Sequence, residues 1–466
     1  MMVSIQFASD GWFGVISDQI NFENMTIVAQ GVADYLNERN EKKDKEIKVV
    51  LAYDTRFLSR DYAWAIQRVL TGNRIRVYLH KNPVPTSFLS LATKLYKANL
   101  GIMVTGQNRP ARYSGLAFRS SQGRPVTSEF MTCLFNYLYR KYPRYADEDR
   151  ELLSYIDVLD PYRDLVTSLV NLQIEPGQKP LLVVSDSCFG SVLDYLKDIL
   201  KAYGINPISI RTKPNPGFMD LVPCPNQRNM QAMSRLIRRR EANIGLFFSG
   251  DGSGLGVLDS RGDMVEEQWI YAIVLGEWLR IRQASSTLYT DIFTPSILSP
   301  IQMSNRLLDQ RPLYQLARDQ DMPDPYIVWD RQGLYFSEFI PDMDGIFEAL
   351  LFLSALISHR GDWYRLVNNI QRTSGIRTYL TRSISIANAS WKRKKAQLES
   401  YNGLAGLGRI INIEQVAEDL KLWFMDGSWA GLAYRPSEDR LTIYYDAPGQ
   451  RDAEADIGLL TSFLTS

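Results

Sequence analysis

The sequence predicts an α/β protein built from three similar α/β segments in tandem, followed by a smaller α+β segment at the C-terminus. Three observations carry this. Short β-branched apolar runs alternate with helical periodicity along most of the chain, the pattern of successive βαβ units. The length of 466 residues suits three or four domains at roughly 150 residues each. The tail breaks the alternation and reads as paired strands flanked by helices.

In chain order, IKVVLAYD (47–54) is a strand ending at a turn, and DYAWAIQRVL is the helix after it. RIRVYLH (74–80) and NLGIMVTG (99–106) follow at βαβ spacing, which predicts a largely parallel sheet. A second cycle opens with KPLLVVSDSCFG (179–190) and the helix VLDYLKDILKAYG, which Gly204 stops. Strand NPISI, helix QAMSRLIRRREA and strand NIGLFFSG (243–250) complete it. The third cycle begins at GVLDSRGDMVEEQWIYAIVLGEWL, and IPDMDGIFEALLFLSALI adds a turn and a long apolar helix. In the tail, GSWAGLAYRPSEDRLTIYYDAP alternates as a strand pair between expected helices IEQVAEDLKLWF and EADIGLLTSFL. Domain boundaries are drawn at 1–150, 151–255, 256–375 and 376–466.

Composition is that of a globular protein, 45% hydrophobic and 23% charged. Lys plus Arg number 53 against 52 Asp plus Glu, which gives no reason to expect nucleic acid or an anionic membrane as main partner. Arg235, Arg238, Arg239 and Arg240 form either a phosphate-binding patch or the solvated face of an amphipathic helix, and the second is preferred. Cys133, Cys188 and Cys224 lack CxxC spacing, so neither zinc nor a disulfide framework is expected. His80 and His359 read as structural. The N-terminus has no signal-peptide pattern, and apolar stretches such as FEALLFLSALI fall short of the roughly 20 residues of a membrane span. The expected setting is cytoplasmic, with no membrane insertion.

Four stretches point further. FASDGWFG (7–14) resembles the motif FGTDGWRG, and TGQNRPARYSGLAF (105–118) resembles TASHNPPEYNGIKF without a gap. FFSGDGSGLGVLD (247–259) resembles TDGDADRFGVVD, and AYRPSEDRLTIYY (433–445) resembles IRPSGTEPLLRIY. These motifs, with AYDTRFLS (52–59), PVPT (83–86), VPCPN (222–226) and IPDMDG (340–345) in the same order, are those of the α-D-phosphohexomutase superfamily, the phosphoglucomutase and phosphomannomutase relatives. The resemblance implies three mixed-sheet α/β domains and a fourth around a central cleft. It also implies a phosphoserine that exchanges a phosphoryl group with a sugar phosphate, a Mg²⁺ held by carboxylates, and arginines on the distal phosphate.

On that alignment the reactive positions have changed. The phosphoserine position is Gln107, whose amide cannot carry a phosphoryl group. The next two, His and Asn in the family, are Asn108 and Arg109. The acid/base Lys falls on Ala117, and the Arg of DGWRG on Phe13. The three metal aspartates fall on Ser249, Asp251 and Ser253, a poor cage for Mg²⁺, so no cofactor is expected. The sugar loop GEESGG aligns with Val328–Gly333, where Asp330 and Arg331 are candidate sugar or phosphate ligands and Trp329 either stacks on a sugar or packs. Arg435 and Ser437 keep the RPS of the phosphate loop, two following residues are deleted, and Arg56 of the DTR segment remains as a further candidate. The expectation is a catalytically inactive homologue acting as a protein-binding scaffold, assembly or regulatory factor, its protein partner unidentified. The alternatives are a sugar-phosphate sensor and a mutase with residual or altered activity.

Overall fold

Eight residues separate the third parallel strand of the first segment from the strand after it, and that shortness sets the topology. A parallel return needs a crossover of a dozen or more residues. The chain therefore turns back on itself. β1 (Gly11–Val15), α1 (Phe22–Asn40), β2 (Lys48–Tyr53), α2 (Ser59–Gly72), β3 (Arg76–His80), α3 (Thr86–Leu95), β4 (Leu100–Val104), β5 (Tyr113–Ser120), α4 (Ser128–Phe135), β6 (Leu153–Ile156) and α5 (Leu159–Leu169) follow in order. Their sheet runs β1-β5-β4-β2-β3-β6. β2 pairs in parallel with β3 and β4, while β5 lies antiparallel between β4 and β1. The largely parallel sheet read from spacing is thus mixed. The computed structural model describes residues 5, 11–40, 45–146, 151–174, 177–282, 287–298, 308–309, 325–330, 333–400, 403–404, 406–416, 418–435, 439–449 and 452–466.

The second segment repeats the device. β7 (Val183–Asp186), α6 (Tyr195–Lys201), β8 (Ile208–Ile210), α7 (Gln227–Arg240), β9 (Ile244–Phe248) and β10 (Leu255–Leu258) give the order β10-β9-β7-β8. Here β10 returns antiparallel to β9 through a six-residue loop. The boundary drawn at 255/256 falls inside β10, which the short loop ties to the second sheet.

α8 (Glu267–Arg282), β11 (Thr287–Thr290), β12 (Leu308–Asp309), β13 (Tyr326–Asp330), β14 (Gly333–Phe336), α9 (Gly345–Ser358) and α10 (Trp363–Ser374) come next. β15 (Arg377–Ser385), α11 (Asn388–Ser400), β16 (Gly403–Leu404), β17 (Gly408–Val416), β18 (Asp419–Phe424), β19 (Trp429–Arg435), β20 (Arg440–Pro448) and α12 (Ala453–Thr465) close the chain. The last sheet runs β15-β20-β19-β18-β17-β16. IEQVAEDLKLWF is therefore two antiparallel strands and no helix. Leu420, Leu422 and Phe424 are buried at a period of two, which a strand satisfies and a helix does not.

Packing divides the chain into two compact units, 1–284 with 323–327 and 332–363, and 285–322 with 328–331 and 364–466. In the first, α9 is buried from Gly345 to Ile357, all around its axis, because its sequence carries almost no polar face. In the second, the core lies between the last sheet and its helices, with Trp391, Leu422, Ile443 and Leu460 buried. Gly115 lets β1 approach β5, since a Cβ there would sit 2.0 Å from the Trp12 carbonyl oxygen and 2.8 Å from Phe13 Cα. Neither neighbour can swing away, so Gly115→Ala is expected to cost about 1–3 kcal/mol in urea unfolding. A neutral result would mean that the β1–β5 pair is not fixed as described.

Candidate functional site

The loop between β4 and β5, residues 105–112, is built around a buried arginine. The Arg56 side chain has no exposed surface, and every N–H of its guanidinium is engaged. Nε donates to Asp54 Oδ2 (3.1 Å), Nη1 to the carbonyls of Pro110 (2.8 Å) and Tyr113 (3.0 Å), and Nη2 to those of Gln107 (2.6 Å) and Arg109 (2.7 Å). Asp54 also accepts from Arg56 N, Ser59 Oγ and Gly106 N. Gly106 is required here, because a Cβ would come 2.6 Å from the guanidinium. Desolvation draws the Arg56 pKa down, opposed by the nearby carboxylates of Asp54 and Asp251. Read from sequence as a candidate phosphate ligand, Arg56 instead spends its donors on the loop. It holds the shape of the site and has no N–H left for a ligand.

Gln107 sits at the loop's apex with φ of 51°, and its N–H donates to Thr105 Oγ1 (2.9 Å). Its Oε1 accepts from Arg109 Nη1 (2.9 Å), and the Arg109 guanidinium lies 4.0 Å over the Phe13 ring. Asn108 is exposed, whereas Ala117 is buried in β5 opposite Gly11 and Met103. Phe13, Gln107 and Arg109 are thus brought together, and Ala117 belongs to the sheet.

The loop between β9 and β10 packs on itself. Asp251, 3% exposed, accepts at Oδ1 from Ser249 Oγ (2.9 Å), Ser253 Oγ (2.8 Å) and Ser253 N (3.2 Å). Ser249 Oγ accepts in turn from Gly254 N (2.8 Å). The loop backbone is pinned from three sides. Thr86 N donates to Asp251 O, Ser191 N to Gly250 O, and Gly345 N to Gly252 O. The donor set is one carboxylate and two hydroxyls, and the described residues contain no group of three His, Cys, Asp or Glu placed to hold a metal ion. The three-carboxylate cage of the family motif does not fit these residues.

Below Arg56, the Phe218 ring lies 5.1 Å from Cζ. Phe218, Met219 and Asp220 are all left-handed, with φ of 50°, 51° and 60°, a conformation costing non-glycine residues roughly 1–2 kcal/mol each. The run itself contains no Gly or Asn, but Asn215 and Gly217 stand just before it, and Asn215 Oδ1 accepts from Gly217 N (3.1 Å). Asp54 carried a usable signal, an Asp two residues before an N–H it can bond and five before Ser59.

Of the remaining candidates, Arg435 is exposed at the end of β19, directly across from Arg440. Asp330 ends β13. Arg331 and Ser437 lie outside the described residues. Trp329 is buried, at 3% exposure.

Behind the β9–β10 loop, Asp344 caps α9, accepting from Ile346 N and Phe347 N (both 3.0 Å) and from Tyr162 Oη (2.9 Å). Burial raises its pKa from 3.8 to about 6 despite those bonds. A raised carboxylate means that the folded state binds the proton more tightly, so this contribution is present below pH 4 and lost as pH rises through 6. His80 acts in the opposite sense, since burial lowers it to about 4 and stability falls as pH drops below 6.5. The Asp344 effect is isolated as wild type minus Asp344→Asn. Relative stability is expected to fall by up to about 3 kcal/mol between pH 4 and 6, and a flat difference curve would refute the assignment.

Comparison with known proteins agrees with this geometry. Residues 4–141 match the family described as phosphoglucomutase/phosphomannomutase, alpha/beta/alpha domain I, and residues 160–262 match its domain II. A probable phosphoglucosamine mutase of Methanobrevibacter smithii is 23% identical over 98% of this chain and 97% of its own length. One from Methanosphaera stadtmanae is 26% identical over 58% of each, so the chain spans under two thirds of that relative. In fold, the chain resembles a putative phosphomannomutase from Thermus thermophilus (TM-score 0.82, 21% identity, all of both chains). It also resembles the parafusin phosphoglucomutase of Paramecium (TM-score 0.80, 14% identity, 98% of this chain and 94% of that one). The expectation of no cofactor is corrected by the family. Its homologues are Mg²⁺-dependent phosphohexomutases. Among the described residues no helix is long and apolar enough to cross a membrane. With both family domains matched across more than half its length, the chain belongs to the phosphoglucomutase/phosphomannomutase family of the α-D-phosphohexomutase superfamily.

Proposed function

We propose that this family member does not turn over sugar phosphates and acts in the cytoplasm by binding, as a protein-binding scaffold, assembly or regulatory factor. One observation carries the reading. The loop at the phosphoserine position is held in a defined shape by four Arg56 hydrogen bonds to its carbonyls, and its apex residue is Gln107. A carboxamide is neither a nucleophile toward phosphorus nor a leaving group from it. Ala117, where the family pattern has the acid/base Lys, cannot take the proton of an incoming hydroxyl. The arrangement fixes the shape of the loop and supplies no side chain that could carry a phosphoryl group there.

The test is a mutase assay with glucose 1-phosphate, mannose 1-phosphate and glucosamine 1-phosphate, supplied with hexose 1,6-bisphosphate and Mg²⁺. No turnover above the blank is expected. Gln107→Ser is expected to stay inactive as well, because the proton-transfer group is also missing. Bisphosphate-dependent turnover that Asp251→Asn abolishes would overturn the proposal and restore a mutase.

A sugar-phosphate sensor is the second reading, favoured by Arg435 and Arg440 standing opposite each other across β19 and β20. Like charges in that register repel, and an anion between them relieves the repulsion. Glucose 1,6-bisphosphate at 100 times its Kd would raise unfolding free energy by about 2.7 kcal/mol, visible as a thermal shift. A protein working only through a protein partner shows no shift.

A further inference from the structure

Away from the loops just described, the start of α1, the middle of α2 and the segment 139–145 enclose a groove of about 960 Å³. Its walls are unusual for a free surface. Phe22, Tyr139 and Tyr145 line it at 46%, 47% and 51% exposure, and Tyr142 stands at its mouth at 95%. Trp64, one turn before the lining residue Arg68 on α2, is 42% exposed. Five of the nine exposed Phe, Tyr and Trp residues among the described residues are therefore on or beside one groove. Tyr139 is held at φ 62°, a strained conformation for a bulky residue that tends to mark functional surfaces.

The charges are interleaved with the rings. Arg60 lies 4.5 Å over Trp64 and Arg68 5.6 Å over Tyr145. The lining carries Arg68, Arg140 and Lys141 against one acid, Glu23. Lys141 and Arg140 are close to Asp34 (3.1 Å) and Glu38 (3.7 Å), while Arg68 has no ion-pair partner among the described residues. Arg60, Trp64 and Arg68 repeat at i, i+4, i+8 and extend this surface along α2 over about 12 Å. That length suits an extended segment of about four residues. Tyr, Trp and Arg are the residues that dominate protein–protein hot spots.

We propose that this groove docks an acidic segment of a partner protein, its aromatic or proline side chain seated among Phe22, Tyr139 and Tyr145 and its carboxylates on Arg68 and Arg60. Charge complementarity decides for an acidic partner, and the length of the stripe favours a peptide over a small anion. The inference rests on the binding reading above but fails separately from it, since turnover is measured in another assay and at another site.

The test is calorimetric titration of the full chain with a random glutamate–tyrosine copolymer, with polyglutamate and ATP as comparators. The copolymer is expected to bind, more weakly as salt rises. Affinity is expected to fall at least about tenfold in both Arg68→Glu and Tyr142→Ala. Tyr142 is so exposed that its Ala variant keeps the wild-type melting temperature, which separates lost binding from lost folding. No binding, unchanged affinity in both variants, or equal affinity for plain polyglutamate would each overturn the proposal. ATP binding that depends on Arg68 while the copolymer fails would reassign the groove to a small ligand.

Discussion

Arg56→Ala is expected to destabilise the first compact unit by about 3–5 kcal/mol, read as a lower urea midpoint. The reason is what the substitution leaves behind. Asp54 becomes a buried carboxylate without its cation, and the carbonyls of Gln107, Arg109, Pro110 and Tyr113 lose the donors that satisfy them. Arg56→Lys recovers only part, because one ammonium cannot reproduce a planar fork reaching a carboxylate and four carbonyls. A loss under about 1 kcal/mol for Arg56→Ala would mean that the loop holds itself. Amide exchange over residues 105–113 provides the local reading, and protection there is expected to vanish before global unfolding.

A comparable loss is expected for Asp342→Ala. Its carboxylate joins the turn before α9 to the first sheet, accepting from Arg119 Nε (2.6 Å), Arg119 Nη2 (3.2 Å) and Ser90 Oγ (2.6 Å). Both side chains are nearly inaccessible, 6% and 5% exposed. Removing the acid strands a buried guanidinium, at about 3–5 kcal/mol, whereas replacing both members with apolar residues is often close to neutral. Arg119→Met with Asp342→Leu is therefore expected to be clearly more stable than Asp342→Ala alone. If the double variant is as unstable as the sum of the singles, the pair is not acting as a unit.

The strands and helices of the first two segments were legible because their apolar runs are continuous and their helices amphipathic, so local pattern and burial agree. Spacing within the βαβ units reads as a parallel sheet, and the mixed sheets that the resemblance implies are the ones observed, because strand direction is set by loop length. Residues 105–112 and 249–254 are too short for a crossover. IEQVAEDLKLWF misled for a related reason, since over twelve residues a period of two and a period of 3.6 share several apolar positions. Sheet pairing with β19 chose between them.

The candidate site divides in the same way. The positions of Gln107, Ala117, Ser249, Asp251 and Ser253 within recognisable motifs, and hence the chemistry those side chains can and cannot perform, were determined by the sequence alone. A carboxamide or a methyl group has the same reactivity wherever the fold places it. The role of Arg56, the self-satisfied Asp251 loop, the left-handed turn under Phe218 and the aromatic groove were decided only by tertiary structure. Four of the five partners of the Arg56 guanidinium come from a segment more than fifty residues away, and burial is a property of the packed chain that no local pattern carries.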